Sequence, residues 1–157
     1  MPKITPFLWF DTQAEQAANF YVSIFPNSKV GTVTRYTDAG PGPAGSAMVV
    51  QFFLDGVEFS GINGGPIFKF TEAVSFTIDC SDQAEVDMYW DGLTAGGGSP
   101  SQCGWLKDRY GLSWQVVPRA LPRLLYSPDR AAANRVMQAM LKKKKIDIAA
   151  LEAAAAG

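Results

Sequence analysis

The sequence predicts an α+β protein that writes strand, helix and strands twice and then ends in a helical tail. Three observations carry this. Gln13, Ala14 and Glu15 recur as Gln83, Ala84 and Glu85, an offset of 70. The strand GVEFSGI (56–62) is echoed by GLSWQVV (111–117), an offset of 55 that pairs Gly56 with Gly111, Phe59 with Trp114 and Ser60 with Gln115. Strand alternation and helical spacing follow one another in the same order in both halves.

In the first half, residues 4–10 (ITPFLWF) form a short apolar, aromatic run, hence a strand. Thr12 and Glu15 have the spacing of a capping box. Ala14, Ala17, Ala18, Tyr21, Val22 and Phe25 then recur at helical spacing until Pro26 and Asn27. Residues 30–36 (VGTVTRY) alternate as a strand, and 38–45 (DAGPGPAG) are a loop. Residues 48–54 (MVVQFFL) and 57–62 are strands joined by the hairpin signal Asp55-Gly56. NGGP (63–66) is a break.

In the second half, 74–80 (VSFTIDC) is a strand. Ser81 or Asp82 caps a helix carrying Ala84, Val86, Tyr89, Trp90 and Leu93, which Gly96, Gly97, Gly98 and Pro100 end. Trp105 and Leu106 form a short strand, 108–111 (DRYG) a turn, and 112–117 a strand ended by Pro118. Ser127 or Asp129 caps a helix over 130–141, and 146–156 is an alanine-rich helical segment. The Lys142–Lys145 run reads as a solvated helical face that also compensates a helix C-terminus. These divisions give a first module over 1–66, a second over 67–121 and a tail over 122–157.

Composition narrows the chemistry. The 157 residues are 47% apolar and 18% charged, with a net charge of −1 from 14 basic and 15 acidic side chains. That balance gives no electrostatic case for nucleic acid. Histidine is absent, which removes the commonest general base and metal ligand. Two cysteines, Cys80 and Cys103, make no disulfide framework. No apolar run approaches the roughly 20 residues that span a bilayer. The expectation is a soluble cytoplasmic protein with reduced thiols and no membrane or nucleic-acid partner.

A small sheet with one helix on one face leaves its other face to be buried or curled around a cavity. Pairing the first and last strands of each module brings Thr5, Ser60, Ser75 and Gln115 toward one concave site. Strand aromatics are more often core than ligand platform, with Trp9 and Trp105 the candidate exceptions. Cys103, in QCGW (102–105) and followed by Lys107 and Arg109, is either a site-lining thiol or a structural one. Cys80 reads as core.

The segments PFLWFDTQAEQAANFYVSIFPNS, NGGPIFKFTEAVSF, QCGWLKDRYGLSWQVVPRAL and VMQAMLKKKKIDIAALEAAAAG cover nearly the whole chain. Together they resemble the vicinal oxygen chelate superfamily, the glyoxalase/bleomycin-resistance fold. Within it they resemble the PhnB-like family described as 3-demethylubiquinone-9 3-methyltransferase. The resemblance implies paired βαβββ modules, usually in a dimer. It also implies that the metal-ligand positions of metal-using members fall near Thr5, Ser60, Ser75 and Gln115. Only Gln115 is a side chain those enzymes use, because serine and threonine hydroxyls are poor ligands for a divalent transition metal. Those polar groups either satisfy one another inside the cleft or hydrogen-bond a small ligand.

No cofactor is expected, with S-adenosylmethionine or a divalent metal as the alternatives. Glycine-rich stretches at 39–45, 63–66 and 95–100 do not open a helix after a strand, as a methyltransferase of the doubly wound class requires. The leading expectation is a metal-independent homodimer that binds an aromatic or planar small molecule between its modules. The rival is an enzyme, either a methyltransferase as the family description says or a metal-dependent lyase or dioxygenase.

Overall fold

Strand, helix and three strands occur twice, and both copies assemble their sheets in the same order. The computed structural model describes residues 2–157, which divide into two compact units, one ending at Phe70 and the other running Thr71–Gly157. The first unit holds β1 (Phe7–Phe10), α1 (Ala14–Ile24), β2 (Lys29–Arg35), β3 (Ala47–Leu54) and β4 (Val57–Asn63). The second holds β5 (Ser75–Cys80), α2 (Gln83–Thr94), β6 (Ser99–Pro100), β7 (Trp105–Lys107) and β8 (Ser113–Pro118). It continues into α3 (Ala120–Leu125), α4 (Arg130–Leu141) and α5 (Ile148–Ala156). The sheet orders are β1-β4-β3-β2 and β5-β8-β7-β6. In each, the first and last strands run parallel and the other pairs antiparallel. These are the two βαβββ modules of the glyoxalase/bleomycin-resistance fold.

Each helix covers one face of its own sheet. Ala14, Ala17, Ala18 and Tyr21 of α1 are fully buried. The Tyr21 ring stacks on Phe52, which stacks on Phe59, at centroid separations of 6.0 and 5.4 Å. Such pairs add about 1 kcal/mol each to simple burial. Gly61 sits beneath Phe10 and Ala14 with room for no more than a tight methyl contact. On α2, Val86, Tyr89, Trp90 and Leu93 are the buried positions. Leu106, Trp114 and Val116 of β7 and β8 are buried on the strands it meets.

The turn residues behave as their chemistry requires. Asp55 and Gly56 both take positive φ, 48° and 81°, the geometry of a type I′ hairpin. Gly111, the repeat partner of Gly56, has φ 88° with nothing near an added Cβ, so glycine is needed there for its backbone and not for space.

Three expectations change. The first strand is shorter, Phe7–Phe10, because Pro6 lacks the N–H a ladder needs. The Thr12–Glu15 capping box does not form: α1 begins after Gln13 without a side-chain cap from its own segment. Asn63, 49 residues away, supplies it instead, its Oδ1 accepting from Ala14 N at 2.7 Å. The second module does use a local box, with Asp82 accepting from Glu85 N and Glu85 accepting from Ser81 N. Ser99–Pro100, just past the end of α2, forms an edge strand on β7, where a missing N–H is tolerated. Finally, Lys142–Lys145 is not a helical face. The run makes the turn between α4 and α5, and its backbone is occupied: Lys143 O and Lys144 O accept from Cys103 N and Gly104 N.

The tail belongs to the second unit. Leu121, Val136, Ile146 and Leu151 form its buried cluster, against which Val117 of β8 packs. The Gln83 amide ties tail to α2, donating to Ile146 O at 3.0 Å and accepting from Ile148 N at 2.8 Å. Lys145 pairs with Asp87 on the same helix.

Asn63 is a polar joint of the first unit. Besides capping α1, its Nδ2 donates to Ala47 O at 3.0 Å, and its backbone carbonyl accepts from Tyr36 Oη. Replacing it with alanine is expected to cost about 2 kcal/mol, the sum of a lost cap and a lost buried bond. Asp82→Ala, which removes a cap alone, is expected to cost about 1 kcal/mol. Urea denaturation of both variants checks the order, and equal losses would contradict it.

Candidate functional site

Neighbouring residues on a strand point to opposite faces, so the face each helix covers fixes what the other face displays. In the second unit, β5, β8 and β7 send Phe76, Ile78, Cys80, Trp114, Val116 and Leu106 toward α2. The opposite face carries Ser75, Thr77, Ser113, Gln115, Trp105 and Lys107. Register brings these into two rows: Trp105 pairs with Gln115, which pairs with Thr77, and Lys107 pairs with Ser113, which pairs with Ser75. Gln115 bridges the rows, its Nε2 donating to Ser75 Oγ at 2.9 Å. Trp105 is half-buried beside it.

Cys103 lies one turn before Trp105. Its φ of 59° is left-handed for a residue with a side chain, and Gly104 follows at 84°. The tail holds this strained pair through the two bonds that Cys103 N and Gly104 N donate to Lys143 O and Lys144 O. A Cβ at Gly104 would sit 2.9 Å from Val116 O, so β8 passes directly beneath.

In the first unit the corresponding face carries Phe7, Trp9, Ser60, Ile62, Gln51 and Glu58. Ser60 is half-buried and lies between Phe7 on β1 and Gln51 on β3. Gln51 donates to Glu58 at 3.2 Å and accepts from Thr32 N at 3.3 Å. Trp9 meets Phe68 edge-on at 4.9 Å and donates its indole N–H to Gly65 O at 2.9 Å. Thr5 is exposed in the segment ahead of β1, and the residue paired with Ser60 is Phe7.

Within their own units, then, Ser75, Gln115 and Trp105 come together, as do Trp9 and Ser60 on one sheet face. Sequence reasoning passed over Gln51 and Ser113. Strict alternation would have found Ser113, two residues before Gln115 and hence on its face.

Two carboxylates near these faces have distinct roles. Asp108 is buried and accepts from Tyr110 N, Leu112 N and Trp114 Nε1, so it is a turn organiser with its oxygens occupied. Glu72 pairs with Lys107, and the hydrogen bond from that ammonium, followed by a backbone hydrogen bond and the ammonium's charge, holds the exposed carboxyl below the usual range.

The donor set does not fit a metal. Among the described residues no group of three or more Asp, Glu, Cys or His side chains gathers. Three of the four ligand positions implied by resemblance, Thr5, Ser60 and Ser75, hold hydroxyls, and the fourth, Gln115, donates its amide nitrogen to Ser75. An S-adenosylmethionine cradle does not fit either. Residues 39–45 join β2 to β3, 63–66 start at the last residue of β4 and lead toward β5, and 95–98 run from α2 into β6, so none of these glycine-rich turns leads from strand into helix.

The family model described as 3-demethylubiquinone-9 3-methyltransferase matches residues 2–117. Among solved structures, the PhnB protein from Bacillus cereus, described in that family's terms, is 36% identical over 74% of this chain and 99% of its own, with a TM-score of 0.68. Protein PA1353 from Pseudomonas aeruginosa shares the fold at 19% identity over 75% of this chain and 98% of its own, with a TM-score of 0.62. The fosfomycin resistance protein FosX from Listeria monocytogenes does so at 14% identity, with 80% and 98% coverage and a TM-score of 0.58. No curated protein matches the chain.

The two thiols should separate cleanly. Cys80 is fully buried. Desolvation, reinforced by the charges of Glu85, Asp79 and Asp82, pushes its thiol from 9.0 up to about 12. The folded state keeps it neutral where the unfolded chain ionises it. Its contribution to stability is therefore complete below pH 9.0 and declines as pH rises toward 12. Iodoacetamide at about pH 8 is expected to modify half-buried Cys103 and spare Cys80 until denaturant is added. Mass spectrometry of the alkylated protein reads this directly, and early modification of Cys80 would contradict it.

Proposed function

The chain belongs to the family described as 3-demethylubiquinone-9 3-methyltransferase, the PhnB-like branch of the vicinal oxygen chelate superfamily, and on that premise we propose that it is a small-molecule-binding protein that works without a metal. Its ligand is aromatic or planar and lies against the sheet faces that the helices leave uncovered. The protein acts as a cytoplasmic homodimer.

One observation carries this reading: the Gln115–Ser75 hydrogen bond with the half-buried Trp105 beside it, on the face of the second sheet away from α2. An amide and hydroxyls orient a ligand by hydrogen bonds, and an indole gives it a flat apolar wall. Trp9 and Ser60 offer the same pairing of chemistry on the first sheet. Hydroxyls hold a metal poorly, which favours direct hydrogen bonding over chelation. Methyl transfer, as the family description has it, is the competing reading.

Titration with a panel of planar aromatic compounds is expected to quench tryptophan fluorescence saturably, and Trp105→Leu to weaken that binding about tenfold. Stoichiometric divalent metal in purified protein, or a rise in melting temperature with S-adenosylmethionine, would overturn the reading in favour of an enzyme.

A further inference from the structure

One row of the second sheet is polar from edge to edge. Ser99 on β6 pairs with Lys107 on β7, Lys107 with Ser113 on β8, and Ser113 with Ser75 on β5. Directly opposed residues share a face with Cβ atoms about 5 Å apart, so three hydroxyls and one ammonium stand in line. A cavity of about 220 Å³ opens along the edge half of this row, lined by Glu72, Ser99, Ser101, Trp105, Lys107 and Ser113.

Ser113 marks the cavity as more than a surface dent. It is 1% exposed, and its Oγ has no hydrogen-bond partner among the described residues. A buried hydroxyl left unpaired costs free energy that a ligand recovers by bonding to it. The alternation of β8 puts Trp114 toward α2 and Ser113 toward Lys107, so the hydroxyl faces the cavity side of the sheet.

We propose that the Ser99–Lys107–Ser113 row is a subsite for the oxyanion of a small ligand, a carboxylate or a phosphoryl-type group, and that Glu72 occupies it in the ligand's absence. The row presents donors: hydroxyl protons at Ser99 and Ser113 and the ammonium between them. Glu72 is the one anionic lining residue, and it sits on Lys107 in an exposed ion pair. An incoming oxyanion displaces that carboxylate from Lys107 and gains the buried Ser113 hydroxyl, which Glu72 does not reach. Exposed ion pairs are weak, so the exchange is easy. The inference rests on the small-molecule reading above and adds to it the charge of the ligand and the end of the face at which that charge lies, with Trp105 alongside for the rest of the molecule.

The test is titration of the full chain with inorganic phosphate and, separately, acetate at constant ionic strength. The Trp105 indole N–H resonance is the local probe. Whichever anion binds more tightly identifies the oxyanion class. Ser113→Ala is expected to weaken binding about tenfold, the worth of one hydrogen bond to a charged group. Lys107→Gln is expected to weaken it by at least about tenfold. Glu72→Gln is expected to tighten it about threefold by removing the competitor. The opposite signs at the two members of one ion pair separate a ligand site from a mere stability effect. Binding that ignores Ser113→Ala or Lys107→Gln, tightening absent in Glu72→Gln, or no saturable shift with either anion in any variant overturns the proposal. If planar compounds still quench Trp105 in that case, the subsite falls alone. If they do not, the broader reading falls with it.

Discussion

Each module depends on one parallel ladder, between its first strand and its last. Parallel neighbours cannot be joined by a tight turn, so the chain must cross over, and here it crosses over as α1 or α2. That helix can cover only one face. The ladder thus divides every strand into a helix side and a free side, and the division shows in the residues. Leu8 and Phe10 face α1, while Phe7 and Trp9 do not. Ile78 and Cys80 face α2, while Ser75 and Thr77 do not. The Gln51 and Gln115 amides, the Ser60, Ser75 and Ser113 hydroxyls and the half-buried Trp9 and Trp105 indoles belong to the free side.

The same topology is secured by different chemistry in the two copies. The second module caps its helix locally through Ser81, Asp82 and Glu85. The first borrows Asn63 from the end of β4, so closure of its parallel ladder and initiation of α1 are one event. Gln13 and Gln83 are the same letter at equivalent positions, and Gln83 binds the tail backbone on either side of Asp147. The tail in turn grips residues 103 and 104, whose left-handed backbone introduces the strand bearing Trp105 and Lys107. Residues outside the family model's match therefore brace one edge of the candidate site.

The free faces have diverged as well. In the first module both ends of the Gln51 amide are used, the nitrogen donating to Glu58 and the oxygen accepting from the Thr32 amide. In the second, the Gln115 amide nitrogen donates to Ser75, but the Ser113 Oγ has no partner among the described residues. An unpaired buried hydroxyl beside a cation is the asymmetry that sets the two faces apart, and it gives the second sheet the stronger claim to a polar ligand.

Much of this was legible in one dimension. Alternation in MVVQFFL and LSWQVV, the Asp55-Gly56 signal, helical spacing from Ala14 and Val86, and the two repeats determined the element order and, with it, the fold class. They also selected Trp9, Trp105 and Gln115 as residues on the free faces. Periodicity reports which side of its own strand a residue occupies, and nothing about its partner. Only the tertiary structure could set Phe7 opposite Ser60, give α1 a cap from 49 residues away, turn Lys142–Lys145 into a clamp for Cys103, and align Ser99, Lys107, Ser113 and Ser75 across four strands. Each of those depends on register between distant segments, which is fixed by the packing of whole faces and not by any short run of letters.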